Sequence, residues 1–199
     1  MKYLFAAAML LSLGCGQNTN KTNIPQSTTD TNKTSVTANT DTTVEYIDWH
    51  KVKLNGSLPM LSSFKTSGKE LGKPDSIVTP KYEDVSVSFF NGNTFKYVYY
   101  KGLEFETEND SLAFRMADFK KNPNVFLTTD KLKLSSATTL DEFKKLFPRL
   151  AAEQMHGTSM DQYASYRLNV AKGNTDDAWF VEFDIATGKL LSVEYFIPD

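Results

Sequence analysis

Few side chains in this chain have both the type and the spacing to do chemistry. Cys15 is the only thiol, and His50 and His156 are the only imidazoles. A metal site needs several imidazole, thiolate or carboxylate ligands converging. Glu153 lies three residues before His156, a spacing that suits two ligands on a helix, but no second pair supports them. A surface-loop histidine is the ordinary reading, and no metal is expected. Glu104, Glu106 and Glu108 alternate with Phe105 and Thr107, which puts three carboxylates on one face of a strand. Paired carboxylates in a cleft do acid–base work. Side by side they are comfortable in water, so a solvated outer face is the expectation for this row. Asn174, Asp176 and Asp177 lack the twelve-residue calcium-loop spacing and its terminal Glu, and they read as a polar hairpin tip.

A Ser–His–acid triad is a spatial object that sequence order does not reveal. Still, the chain has no Gly-x-Ser-x-Gly elbow and no phosphate-cradling glycine pattern. No catalytic residue and no cofactor are assigned, and the reading leans away from an enzyme. The aromatic run is the more informative cluster. Phe95, Tyr97 and Tyr99 share one face of a strand, with Tyr100 on the other beside Val98. One set must be core, and the other is free to form an interface, for which tyrosine is well suited. Tyr97, Tyr99 and Tyr100 are the candidate interaction residues. Aromatics with basic residues also stack on bases, but a formal net charge of −2 argues against nucleic acid.

The elements that position these residues begin with a leader. Lys2 supplies a positive start, Leu4 to Leu13 an apolar run, and Ser12-Leu13-Gly14 a small-residue approach to Cys15. This is the layout of a secretory signal peptide, residues 1–14. The apolar run is too short for a membrane span, which needs about 20 residues. The segment ending in Cys15 resembles the lipobox of bacterial lipoproteins, with Ser12 where that family most often has Leu. The resemblance implies that Cys15 is diacylated and becomes the mature N-terminus. Two acyl chains make a stable anchor where one is marginal. By the sorting habit of Gram-negative lipoproteins, Gly16 rather than Asp after the cysteine implies the outer membrane. The other reading is a plain signal peptide with a free thiol at Cys15.

Residues 15–43 hold the lipidated cysteine and a Thr/Asn-rich stretch whose only apolar side chains after Gly16 are Ile24, Val36 and Ala38. Too little surface can be buried there to offset ordering entropy, so it reads as a flexible tether. Residues 44–199 form a single α+β domain, opening with the apolar-rich patch Val44 to Trp49. An aromatic fraction of 13% points to a sheet-rich fold with a real core.

Within that domain two stretches resemble each other. Val52-Lys53-Leu54 matches Leu132-Lys133-Leu134, and Leu61-Ser62-Ser63-Phe64-Lys65 matches Leu140-Asp141-Glu142-Phe143-Lys144. Chance similarity competes with an internal repeat with halves at 44–126 and 127–199. Thr139 and Glu142 form a capping box ahead of Leu140, Phe143, Leu146 and Phe147 on one face, with Pro148 as the stop. A first helix is expected over roughly residues 59–71, ended by Gly72 and Pro74. Strands are expected at 85–89, 94–100, 103–107, 111–118, 163–170, 178–185 and 190–197, with turns at Asn91-Gly92-Asn93, Asn109-Asp110 and Thr187-Gly188. The expected fold is an antiparallel sheet with helices packed on one face, patterned as two tandem helix-plus-meander repeats.

That order over Val52 to Pro198, with its Gly-Lys-Pro stop and Thr-Gly-Lys hairpin, resembles tandem folds like the beta-lactamase inhibitor protein and the small outer-membrane assembly lipoproteins. An anchor, a tether and a compact α+β domain without assembled catalytic residues point to a non-enzymatic interaction module. The chain also looks like Bacteroidetes-type lipoproteins, whose Asp-Ser/Thr glycosylation motif Asp41-Thr42-Thr43, Asp75-Ser76-Ile77 and Asp110-Ser111-Leu112 match. The expected function is that of an envelope lipoprotein, held by lipid at Cys15 and docking an envelope protein. The alternatives are a ligand-binding or hydrolytic lipoprotein whose site assembles only in three dimensions, and an immunity or inhibitor protein.

Overall fold

A computed structural model describes residues 45–85, 87–90, 94–152, 155–156, 162–173 and 175–198. All of these belong to the compact unit Asp41–Asp199. The expectations for the leader, Cys15 and the tether lie outside the described residues, as do Asn91-Gly92-Asn93, Glu153 and Asn174. Of His156 only the backbone is described.

The chain enters along the sheet end. Ile47 and Trp49 donate backbone N–H groups to the Asn169 and Val170 carbonyls, each at 3.0 Å. A single 3-10 turn, Trp49–Lys51, leads into β1 (Lys53–Leu54), β2 (Leu58–Pro59) and β3 (Leu61–Ser63). Helix α1 (Phe64–Leu71) starts at Ser63, whose hydroxyl accepts the Thr66 N–H. This is five residues later than the sequence suggests. Residues 61–63 are taken into pairing with the later strand at 111–118, so they extend before the helix begins.

Next come β4 (Ser76–Val78), β5 (Lys96–Tyr100), β6 (Leu103–Glu108) and β7 (Ser111–Asp118). The strand expected at 85–89 is absent among its described residues. There the Ser88 hydroxyl bonds to the Phe90 carbonyl, and the Phe89 N–H goes to the Glu106 carboxylate rather than to a ladder. The second half runs β8 (Phe126–Thr128), β9 (Lys133–Ser135), α2 (Leu140–Leu146), α3 (Pro148–Ala152) and β10 (Met155–His156), then β11 (Tyr163–Asn169), β12 (Ala178–Asp184) and β13 (Leu190–Phe196). At the start of α2 the capping box is complete, with Thr139 and Glu142 each accepting the other's backbone N–H.

The architecture is α+β and mainly antiparallel β. The large sheet runs β10-β11-β12-β13-β7-β6-β5-β4, with β3 also on β7; a small sheet runs β2-β1-β8-β9. Two meanders therefore meet through their last strands, β7 and β13, which pair antiparallel at Asp118–Met116 against Ser192–Glu194. The small sheet draws a hairpin from each half, joined by β1 on β8.

One face of the large sheet is core. Along β12, Trp179, Val181 and Phe183 are buried while Phe180, Glu182 and Asp184 are not. Phe143 of α2 sits 5.3 Å from the Tyr166 ring and 5.0 Å from Phe183. The small sheet adds Leu54, Leu58, Leu127 and Leu134 to the same core. Each large side chain fully buried there contributes about 1.5–3 kcal/mol. The opposite face carries the polar members of the alternation.

Candidate functional site

The open face of the large sheet is built by register. Cross-strand partners place Tyr99 beside Glu104, Glu104 beside Met116, Met116 beside Glu194, and Glu194 beside Phe180. The row spans five strands and straddles the seam between the two meanders. Its two carboxylates flank Met116, and a ring stands outside each. Neighbouring strands are about 4.8 Å apart, which puts the Glu104 and Glu194 backbones about 10 Å apart. All five side chains are half-buried. Tyr97 lies 6.4 Å from Tyr99 on one flank, and Phe196 lies 5.3 Å from Phe180 on the other. Beside Glu104 a groove of about 470 Å³ opens, lined by Tyr99, Gly102, Met116 and Lys121 among others.

The candidate tyrosines divide. Tyr97 and Tyr99 stand on this face, half-buried. Tyr100 is 7% exposed and packs edge-on against Phe105 in the core. A one-residue step along a strand reverses the side-chain direction, so Tyr100 is withdrawn from the candidate surface. Burial raises the Tyr97 and Tyr99 phenols above their ordinary pKa, and Glu106 (for Tyr97) and Glu104 (for Tyr99) add to the effect. Both rings therefore stay neutral donors at physiological pH.

The glutamate row also divides. Glu106 is fully buried, contrary to a solvated row. Its Oε1 lies 3.0 Å from Arg115 Nη1, and its Oε2 accepts the Phe89 N–H at 2.7 Å. Arg115 occupies an irregularity where the β6–β7 register shifts, which turns its guanidinium toward Glu106. The pair meets out of hydrogen-bond alignment, and Arg115 Nε is buried without a hydrogen bond. Burial pushes the Glu106 pKa up, opposed by Arg115 and by the Phe89 and Phe90 N–H groups. Glu108 accepts a hydrogen bond from the Thr94 hydroxyl at the rim.

Glu194 is a residue that the sequence reading passed over. Strand alternation in 190–197 was enough to put it on the polar face, but its place opposite Glu104 depends on the β7–β13 seam. Burial raises the pKa of both Glu104 and Glu194; Arg115 opposes this in each, and Glu194 adds to the rise at Glu104. Among the described residues neither carboxylate has a hydrogen bond or an ion pair. Other polar groups nearby are occupied: Glu182 accepts from Ser192 at 2.9 Å, and Arg167 donates to the Thr175 and Asp176 carbonyls.

Among the described residues no three His, Cys, Asp or Glu gather as a metal site, and no helix is long and apolar enough to cross a membrane. Asp177 accepts the Tyr195 hydroxyl at 2.8 Å, in keeping with a hairpin-tip role. Compared with protein-family models, with curated proteins and with solved structures, the chain has no match.

Proposed function

We propose that this chain is a membrane-anchored envelope lipoprotein that acts as a non-enzymatic protein-interaction module, with the open face of its large sheet as the docking surface. One observation carries the reading: a row of half-buried Tyr, Glu, Met, Glu and Phe side chains on one continuous sheet face, the opposite face being core. Aromatic residues and Met are enriched in protein interfaces, and rigid rings lose little entropy on binding. The leader and Cys15 supply the address, by their likeness to a lipobox.

The hydrolytic alternative draws on the same carboxylates and is weaker. Acid–base catalysis by two carboxyl groups needs environments that push their pKa values apart. Glu104 and Glu194 are pushed the same way, in each case chiefly by burial and against Arg115. Glu106 is the fully buried carboxylate, and it is already held by Arg115 and a backbone N–H.

Affinity capture from detergent-solubilised envelopes tests the docking role. The native protein should retain a specific partner that a Tyr99→Ala/Phe180→Ala variant loses. Recovery of no specific partner, or equal recovery by both, overturns it. Membrane fractionation and intact mass test the anchor. A diacylated mature N-terminus is expected, with Cys15→Ala released from the membrane. An unmodified Cys15 in a soluble protein removes the anchor.

A further inference from the structure

We infer that the row Tyr99–Glu104–Met116–Glu194–Phe180 is a slot for a lysine or arginine side chain presented by the docked protein. The inference rests on the docking reading and specifies the chemistry of the partner.

Charge complementarity identifies the occupant. The acids around the slot and its groove are Glu104, Glu106, Glu182, Glu194, Asp118 and Asp75; the bases are Arg115, Arg167, Lys121 and Lys101, the last with Asp75 at the far end of the groove. Glu106 is neutralised by Arg115, and Asp118 by Lys121 at 3.1 Å. Arg167 is held in place by two backbone carbonyls and Glu182 by a serine hydroxyl, and their opposite charges offset each other in the sum. Glu104 and Glu194 remain, half-buried and unpaired. A half-buried carboxylate has lost hydration without gaining an ion pair, so a cation entering between the two meets a negative site opposed only by the longer-range field of Arg115. An anion would be repelled by both.

The neighbours suit a side-chain cation better than a bare ion. Tyr99 and Phe180 present rings at the two ends of the row, and rings attract Lys and Arg through their quadrupoles. Met116 between the acids is an unbranched, adaptable floor for an aliphatic stem. The groove beside Glu104 has room for the chain that carries the cation. Two carboxylates whose backbones stand about 10 Å apart across a methionine make a poor cage for a small metal.

The test titrates the purified full chain, in detergent, with two hexapeptides, one alternating Arg with Ser and one alternating Glu with Ser. The Arg peptide should bind and the Glu peptide should not. Glu104→Gln/Glu194→Gln should weaken the Arg peptide by about tenfold or more, as loss of a central charged contact does. The variant's thermal unfolding reports that it folds. Equal binding of the two peptides, or undiminished binding by the folded variant, overturns the slot. Displacement of the peptide by calcium alone also overturns it, in favour of a metal. The variant is then used in the envelope capture. A partner retained undiminished by the glutamine variant but lost by Tyr99→Ala/Phe180→Ala overturns the slot and leaves the docking role standing. Carboxylate-dependent peptide binding with no envelope partner supports the slot and removes the role.

Discussion

Glu106 and Arg115 are two charges taken out of water for each other, so removing one should be far worse than removing both. Glu106→Ala leaves a guanidinium that is 15% exposed without its counter-ion. The expected loss is about 3–5 kcal/mol in urea unfolding, with much of it recovered in a Glu106→Leu/Arg115→Met double variant. Additive losses in the double would mean that the pair is not coupled. Glu104 and Glu194 have no ion partner to strand, so neutralising them should relieve the fold rather than cost it. Their folded pKa values are raised, so the folded state binds protons more tightly than the unfolded one. Their destabilising effect is absent in acid, sets in as pH rises past the ordinary Glu value of about 4.3, and is full above the folded values. Glu104→Gln/Glu194→Gln should therefore gain stability relative to the native protein as pH rises past about 4, then level off above the folded values. A difference that does not change with pH would contradict this. Carboxylates that weaken the fold while standing on its open face are what a binding surface retains and a purely structural surface discards.

At the scale of elements, the turns and caps carry most of the local specificity. Gly102 has φ +67 in the β5–β6 hairpin, and a Cβ there would stand 2.7 Å from the Asp118 carbonyl. Gly102→Ala therefore combines a left-handed conformation with a backbone clash. It should lower stability by more than the about 1 kcal/mol of an ordinary glycine replacement, and disturb the groove beside Glu104. An unchanged midpoint in urea would show that the hairpin yields. Thr139→Ala removes one arm of the capping box of α2 and should cost about 1 kcal/mol by the same measurement. That helix, its proline stop, and the strands at 94–100, 103–107, 111–118 and 178–185 were legible because each obeys a local rule of period or cap. The segment 85–89 alternates as a strand should, yet its Phe89 N–H goes to Glu106 and its Val85 N–H back to the Tyr82 carbonyl. The start of α1 shifts for a similar reason, since β7 claims residues 61–63 as a strand.

Across the whole molecule, Phe143 shows how the two faces of the large sheet are divided. Its ring lies within about 5 Å of Phe147, Tyr166 and Phe183, tying α2 to the sheet. Phe143→Ala should open a cavity costing about 3–5 kcal/mol, measured by urea unfolding. With the small sheet and α2 committed to that face, the other carries the half-buried row and, at Glu106, the 87–90 segment. The last strands of the two meanders stand edge to edge, β7 against β13. The seam is where the candidate slot forms, with Glu104 from one meander and Glu194 from the other.

The sequence alone determined the α+β class and most strands and caps, because each of these is set by near neighbours in the chain; the likeness of residues 1–15 to a lipobox leader is a reading of sequence only. The sequence also put Tyr97 and Tyr99 on the face opposite Tyr100, since alternation is a property of the strand itself. Which of those faces is open was decided by tertiary structure, because it depends on where α2 and the small sheet pack. The burial of Glu106 was decided there too, by an arginine nine residues away and by a segment that gave up its own ladder. The partnership of Glu104 with Glu194, ninety residues apart, came only from pairing the last strands of two meanders, a long-range choice that no local pattern encodes.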